Sequence, residues 1–417
     1  MEQSESTSAP APGGTPSGAA RPCATRTSGA EVRPPRDTSP LSSTVLHVVQ
    51  PGEGGVARVV TDLVRGQLDA GLRVAVACPP GTPLAAAVRA EGVPVHPWRA
   101  GRDPGPGLVR ELRELARLIR AVRPDLVHAH SAKAGLCARL TLRGRVPTVY
   151  QPHAWSFEAA DGPVGALARH WERWAARWTA RVVCVSEAER RTGERAGVRA
   201  PWSIVHNGVD VARFTAGEPG RTDVPATRET PGPTVVCVGR LCRQKGQDTL
   251  LAAWPAILSE APTARLVLVG DGPDAARLRA DAPPSVRFAG AVEDTAPWYR
   301  AADLVVLPSR WEGMALAPLE AMASGRPVVV SDVDGARESL PPGHAPLCLV
   351  PPEDPAALAA AVGRLLGRPG LRRSLGREAQ DHVLTRFDVR RTGAAVADLY
   401  RELAGVRCTE HREPMSQ

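Results

Sequence analysis

Two pairs of side chains in this sequence stand at spacings that suit chemistry. Glu312 and Glu320 are separated by seven residues in Pro308-Ser309-Arg310-Trp311-Glu312-Gly313-Met314-Ala315-Leu316-Ala317-Pro318-Leu319-Glu320-Ala321-Met322. A helix that begins near Ala315 leaves Glu312 in the preceding loop, beside free backbone amides, and puts Glu320 inside the helix among Leu319, Ala321 and Met322. A carboxylate in that apolar setting, pointing into a cleft, accepts hydrogen bonds from two hydroxyls, as a ribose diol provides; one at a helix N-terminus can orient a sugar ring. The alternative is a solvated helix face with an N-terminal acid favoured by the helix dipole, and the apolar neighbours of Glu320 speak against it.

The second pair is cationic. In Val238-Gly239-Arg240-Leu241-Cys242-Arg243-Gln244-Lys245-Gly246 an arginine stands at a strand end and a lysine just before the next helix. A planar guanidinium and a compact ammonium that reach one point suit a diphosphate whose charge grows as a bond to it breaks. Lysine is scarce here, with only Lys133 and Lys245 against fifty arginines, so its retention at position 245 is informative, although a plain surface loop also accommodates both residues. Gly52, Gly54 and Gly55 follow the first strand and precede Val56, Ala57 and Arg58. Such a loop turns helix N-terminal amides toward an anion or a sugar, and it is equally what a tight strand-to-helix turn needs. Lys133 begins a helix at a strand end, where it can meet an acceptor or phosphate, or simply be solvated.

These groups need a scaffold that brings distant loops together. The chain has 417 residues, 43% of them hydrophobic, too long for one core and apolar enough for two. Residues 1–43, rich in Ser, Thr, Pro, Gly and Ala, are expected to be a disordered tail. Short β-branched runs then alternate with helical stretches, at residues 44–50, 73–79, 93–98, 125–131, 147–153, 181–186 and 202–208. A polar linker follows at 216–233, and the alternation resumes at 234–239, 265–270, 286–289, 303–307, 327–331 and 347–350. Continuous apolar runs between helices indicate parallel strands buried on both faces. The expectation is α/β: two doubly wound, Rossmann-like domains, 44–215 and 234–404, facing across a cleft, with a tail at 405–417. Ligands of such sheets sit at the carboxyl ends of the strands.

In chain order, Gly239-Arg240, Lys245-Gly246, Val269-Gly270-Asp271-Gly272-Pro273, the Glu312 and Glu320 pair and Ser324-Gly325-Arg326-Pro327-Val328 resemble the family 4 glycosyltransferases of the GT-B fold, over roughly residues 44 to 400. The first half is similar, more loosely, to the branch that builds bacterial capsules and exopolysaccharides, through His128-Ala129-His130-Ser131-Ala132-Lys133-Ala134-Gly135 and Gln151-Pro152-His153-Ala154-Trp155. The resemblance implies a retaining hexosyltransferase that moves a sugar from a nucleotide-diphosphate donor, a UDP-sugar, held by the second domain, to an acceptor hydroxyl held by the first, in polysaccharide or glycoconjugate biosynthesis. It implies Glu320 on the ribose, Glu312 on the donor sugar, Arg240 and Lys245 on the diphosphate, and His153 at the reaction centre. The implied catalytic set is His153, Arg240, Lys245 and Glu312. The donor site gains Gly54, Gly55, Gly239, Gly270, Asp271, Gly290, Val292, Gly313, Met314, Ala315 and Leu316; the acceptor site is Lys133 and His130. Met314 and Ala315 replace the aromatic and the Gly or Pro common in relatives, so the donor sugar is left open. A small-molecule acceptor fits the same residues, as does a nucleotide-sugar epimerase of the same fold.

No cofactor and no metal are expected, because Asp332-Val333-Asp334, formally a DxD, follows a strand and reads as a turn. The eight scattered cysteines show no ligand spacing and read as reduced. The net charge of +8 resides in the first half, with +9 over residues 44–215 and −1 over 216–417. No nucleic-acid reading motif accompanies it. An anionic membrane surface, with a lipid-linked or small-molecule acceptor, suits it better. Residues 110–123 form an amphipathic basic helix. Residues 166–181 set Trp171, Trp174 and Trp178 beside Arg169, Arg173 and Arg177, a stripe that is more often core than membrane belt. With no apolar run of bilayer length and no secretory stretch, the expected location is cytoplasmic, with peripheral contact at the inner leaflet.

Overall fold

A computed structural model describes residues 43–215, 224 and 232–410, with side chains to 403. The expected tail at 1–43 lies outside these residues but for Ser43, as do most of the linker at 216–233 and the end of the tail at 405–417. All thirteen strands expected from the apolar runs are present. The first seven are β1 (Thr44–Val49), β2 (Arg73–Cys78), β3 (Val95–Pro97), β4 (Leu126–His130), β5 (Thr148–Gln151), β6 (Arg181–Cys184) and β7 (Trp202–Ile204). The remaining six are β8 (Thr234–Val238), β9 (Arg265–Val269), β10 (Val286–Gly290), β11 (Leu304–Leu307), β12 (Val328–Ser331) and β13 (Leu349–Val350). Every pairing is parallel, in the orders β3-β2-β1-β4-β5-β6-β7 and β10-β9-β8-β11-β12-β13. The strand order therefore reverses between β1 and β4 in one sheet and between β8 and β11 in the other. Loops leaving those strands diverge to opposite faces and open a crevice at the carboxyl ends. Gly52 to Gly55, Arg240 and Glu312 all lie on such loops.

Alternation along β1 shows why both faces are covered. Val45 and Val49 pack into the core shared with the second sheet, while Leu46 and Val48 pack into a separate core under the helix Leu108–Val122. His47 lies on the first of these faces. The last helix, Val389–Glu410, was grouped with the second domain by its place in the sequence, yet it packs against Gly54–Asp69 of the first. The chain crosses over at Phe387–Val389, where the Val209 amide donates to the Phe387 carbonyl at 2.8 Å and the Val389 amide to the Val209 carbonyl at 3.0 Å. Gly66 and Gly393 meet where the two helices cross, a Cβ on either lying within 3.7 Å of the other's Cα.

The tryptophan row is a correction. Gly162–Ala175 is α-helical and Ala176–Trp178 a 3-10 turn. Trp174 is exposed, as are Val164 at 65% and Leu167 at 69%, while Trp171 and Trp178 are half-buried. The rings pack on one another, Trp174 against Trp178 at 4.3 Å edge-on, at the surface and not in the core. No helix among the described residues is long and apolar enough to cross a membrane.

Candidate active site

At the end of β8 the chain turns through Gly239 and Arg240 into a 3-10 turn, Arg243–Lys245. The turn folds the lysine stem back over Gly239, whose missing Cβ would lie 3.6 Å from Lys245 Cγ and Cδ. The ammonium then reaches Glu312 Oε1 at 2.5 Å, and the Ser309 hydroxyl donates to the same oxygen at 2.7 Å. Lys245 and the first glutamate are thus one cluster. Gly270 explains how the loop comes so close: at φ +136° its absent Cβ would stand 2.1 Å from the Gly239 carbonyl oxygen, so only glycine fits. The Gly270 amide donates to the Gly290 carbonyl at 2.8 Å, and the Asp271 carbonyl accepts from the Leu241 amide at 3.0 Å, so these expected donor positions back the loop. Val292, half-buried, packs on the core shared by the two sheets.

Arg240 has no carboxylate partner among the described residues. Another guanidinium, Arg102 of the first lobe, lies near enough that burial first, then Arg240, lowers its pKa; Glu53 partly offsets it at 3.7 Å. Two guanidiniums close enough to interact, one from each lobe, make a place where an anion is stabilised.

Glu320 is buried on the helix Leu316–Ala323, as its apolar neighbours imply. Tyr299 donates its hydroxyl to Glu320 Oε2 at 2.8 Å, and Arg58, from the first helix of the other lobe, stands 3.6 Å from Oε1. Each oxygen faces one protein donor, which leaves a carboxylate further acceptor sites for a diol. Gly55 of the first glycine loop meets the start of this helix, its absent Cβ falling 3.9 Å from Leu316 Cδ1, while Gly54 turns at φ +71°.

The lobes touch at Gly313 and Met314. The Ser186 hydroxyl donates to the Gly313 carbonyl at 2.8 Å while accepting from the Glu189 amide at 3.0 Å, so one N-cap also latches the other lobe. Asn207 Nδ2 donates to the Met314 carbonyl at 2.8 Å. A Cβ at 313 would lie 2.7 Å from Glu189 Oε1 and 3.0 Å from the Ala154 nitrogen, so a side chain there would hold the lobes apart. Met314 is buried and Ala315 half-buried at the same junction. His153, immediately before Ala154, is held in the left-handed region at φ +58°, followed by Ala154 at +103°. Glu189 secures that bend: its carboxylate accepts from the Ala154 and Val185 amides, each at 2.7 Å, and burial pushes its pKa up to about 7.

The expected acceptor residues are where the structure departs from expectation. Lys133 is 3% exposed, paired with Glu111 at 2.7 Å and donating to the Asp103 carbonyl at 2.9 Å. It ties down a loop of the first lobe. His130 is fully buried, between His47 at 2.9 Å and His153 at 3.1 Å. A histidine at a strand end is legible in sequence, but its inward face follows only from the sheet. Among the described residues, His47, His128 and His130 are the one group with nitrogens close enough to hold a metal, all within 4.8 Å; His128 Nε2 has no hydrogen-bond partner, while the other nitrogens contact one another, Gln67, Tyr400 and His153. Asp332 and Asp334 follow β12 in a turn and pair with Arg337 and Thr192. Sequence reasoning did not find Arg58, Arg102, Glu189 or Tyr299. Only Arg58, one turn into the helix after the glycine loop, carried a usable signal.

Two parallel sheets, with cations and a buried carboxylate on the elements at their switch points, give the two-lobed architecture of the GT-B glycosyltransferases. Residues 53–213 match the family model described as Glycosyltransferase Family 4, and residues 232–368 match the one described as Glycosyl transferases group 1. The chain is 31% identical over 271 residues to the lipopolysaccharide core biosynthesis mannosyltransferase LpcC of Rhizobium leguminosarum bv. viciae, spanning 58% of this chain and 76% of that one. It is 29% identical over 427 residues to D-inositol 3-phosphate glycosyltransferase 2 of Catenulispora acidiphila, spanning 91% and 98%. Its fold matches Anabaena HepE, solved in complex with UDP-glucose, with a TM-score of 0.74 at 22% identity, covering 86% of this chain and all of that one. The chain belongs to the family 4 glycosyltransferases of the GT-B fold.

Proposed function

We propose that this glycosyltransferase moves a hexosyl group from a UDP-sugar to a hydroxyl of a lipid-linked glycan acceptor, with retention of anomeric configuration. The observation that carries the reading is the Lys245 and Glu312 pair, from the loops after β8 and β11, with Arg240 on the same loop as Lys245 and Glu320 on the helix that follows Glu312. Breaking the bond between the anomeric carbon and the diphosphate oxygen leaves negative charge on the departing nucleotide. Arg240 and Lys245 meet that charge as it forms, which lowers the barrier more than it tightens ground-state binding. Glu312, now engaged with Lys245, turns to the donor-sugar hydroxyls; Glu320 accepts from the ribose diol. The acceptor hydroxyl attacks from the face the diphosphate leaves, its proton passes to the leaving phosphate oxygen, and no protein nucleophile is used. His153 lines the reaction centre beside Gly313. Side chains supply the positive charge, so a divalent metal is not required, and a chelator should leave the rate unchanged.

A UDP-sugar as donor agrees with the ligand of the structural neighbour HepE, and a lipid-linked glycan acceptor with the lipopolysaccharide enzyme among the relatives. The exposed row Val164, Leu167 and Trp174, with Arg169, Arg173 and Arg177 beside it, is suited to an anionic inner-leaflet surface. The test is a panel of UDP-, GDP- and ADP-sugars, each offered with lipid-linked and with soluble acceptors, the product read by NMR for linkage. An α-linked product from an α-linked UDP-sugar supports the proposal. An inverted product overturns retention, and an isomerised sugar from donor alone identifies an epimerase.

A further inference from the structure

The first sheet carries a row of buried polar groups that the sugar transfer above does not use. In register His47 stands opposite His128, and His130 opposite Gln151, so all four side chains lie on one face. Two helices cover that face, and each contributes one polar residue: Gln67 from Gly54–Asp69 and Tyr400 from the last helix. The contacts form a line. Gln67 Oε1 stands 2.8 Å from His47 Nε2, His47 Nδ1 is 2.9 Å from His130 Nε2, and His130 Nδ1 is 3.1 Å from His153 Nε2. A branch leads from Gln67 Nε2 to the Tyr400 hydroxyl at 3.4 Å and on to His128 Nδ1 at 2.6 Å.

Burial keeps these rings neutral, lowering His47 to about 4, His153 to about 3, and His128 and His130 well below their ordinary value. A neutral imidazole has one donor and one acceptor nitrogen, so a line of them has only two possible directions. The amide at the end decides which. With Gln67 Oε1 toward His47, His47 donates from Nε2 and accepts at Nδ1; His130 and His153 then donate from Nε2 in turn. The Gln67 amino group satisfies Tyr400, whose hydroxyl proton goes to His128 Nδ1. Reversing the amide would reverse every ring and set its amino group against His47 instead. His153, the one ring of the four that is not fully buried, is left with Nδ1 as a bare lone pair.

We propose that Gln67, His47 and His130 are positioning residues that fix His153 as its Nε2–H tautomer, with Nδ1 free to accept a hydrogen bond from a sugar or acceptor hydroxyl; the Tyr400 hydroxyl, which can donate or accept, joins the line at Gln67 without choosing its direction. The proposal rests on His153 lining the reaction centre.

The test is ring-nitrogen NMR on the full chain with 15N-labelled histidine, which distinguishes protonated from bare imidazole nitrogens directly. The expected result is Nε2–H, Nδ1-bare signals for His47, His130 and His153 in the wild type near neutral pH. Nδ1–H at His153, a mixture of tautomers, or stoichiometric zinc on His47, His128 and His130 after purification overturns it, without any variant having to fold. Gln67→Leu is then expected to mix the His153 tautomers and lower kcat about tenfold or more with donor KM little changed. Gln67→Glu, which keeps an acceptor oxygen, is expected to restore the tautomer. A Gln67→Leu chain that keeps one His153 tautomer defeats the proposal. If the tautomers behave as expected but His153→Ala retains full activity, the role of His153 fails while the hydrogen-bonded line stands.

Discussion

Near the site, the first lobe buries His47, His128, His130 and Gln151 together and uncharged, whereas the second sets Arg240, Lys245 and Glu312 in formal charge on loops at the mouth of the crevice. The two arrangements suit different tasks. A charge that must follow the growth of another charge needs partners it can exchange, and Lys245 is held by one carboxylate that a ligand can replace. A group that must keep one orientation needs partners it cannot lose, and His130 is fully buried with an imidazole on each side. If this contrast is right, substitutions in the second lobe should act on turnover and those beneath the first sheet on geometry and acid stability.

The largest effect should come from the second lobe. Lys245→Met or Arg240→Met removes a cation from the leaving group, and losing one such electrostatic donor costs on the order of 10²–10³ in kcat. Donor affinity, measured by isothermal titration, should weaken much less, because the lost interaction strengthens only as the bond breaks. Thermal stability should scarcely change for Arg240→Met, whereas Lys245→Met should also lower it, since the buried Glu312 carboxylate is then left with the Ser309 hydroxyl as its side-chain partner. Equal losses in affinity and turnover would mean that the cations merely bind, and the contrast between lobes would weaken.

A smaller loss, on the order of 10²-fold, is expected for Gly313→Val, where the side chain would strike Glu189 and Ala154 across the junction. Shifts of about an ångström in catalytic alignment cost that much. Small-angle scattering should show the lobes further apart. Full activity in Gly313→Val would mean that the Ser186, Asn207 and Gly313 contacts are not part of the working state.

The same contrast accounts for what the sequence could tell. Glu312, Glu320, Arg240 and Lys245 were legible because each sits within a short segment whose spacing alone puts it at a strand end or helix start. The strands were legible because parallel strands buried on both faces are continuous apolar runs, as in Thr234–Val238. Tyr299 and Arg58 were not, because each meets Glu320 from another element, and no local pattern encodes a partner 21 or 262 residues away. Lys133 and His130 misled for the reverse reason: their neighbours in sequence suggest an open strand end, while Glu111 and His47, distant in sequence, close over them. The last helix was assigned by its place in the chain, although a break at Phe387 and Asp388 redirects it to the first lobe.

Acid should distinguish the lobes next. In the unfolded chain His47 takes up a proton near its ordinary value of 6.5, while the folded chain refuses it until about 4. A folded-state pKa below the unfolded one means that stability is lost as pH falls through that window, by about 1.4 kcal/mol per pH unit for this ring. Glu189, pushed up to about 7 by burial, acts in the opposite sense, but it is common to both chains in the comparison. Urea denaturation from pH 7 to pH 4 should therefore give His47→Leu a flatter dependence than the wild type, whatever its stability at neutral pH. An unchanged slope would mean that the rings are not held neutral.

The smallest effect concerns the surface of the first lobe. Burying Leu167 or Trp174 in a bilayer interface contributes at most about 1.5–3 kcal/mol each, and a cation beside an anionic leaflet about 1 kcal/mol. The three arginines at 169, 173 and 177 are therefore worth about as much as one buried ring, and both kinds of group are needed for measurable binding. Wild-type protein should co-sediment with phosphatidylglycerol-containing vesicles at low salt and less so at 0.5 M salt, where screening removes the arginine contribution. Trp174→Ser with Leu167→Ser should lower partitioning several-fold while leaving turnover on a soluble acceptor intact, because neither residue lies near Arg240 or His153 in the fold. Binding that ignores both salt and the double substitution would place the membrane contact elsewhere, and the first lobe's excess of arginine would then be a solvated surface.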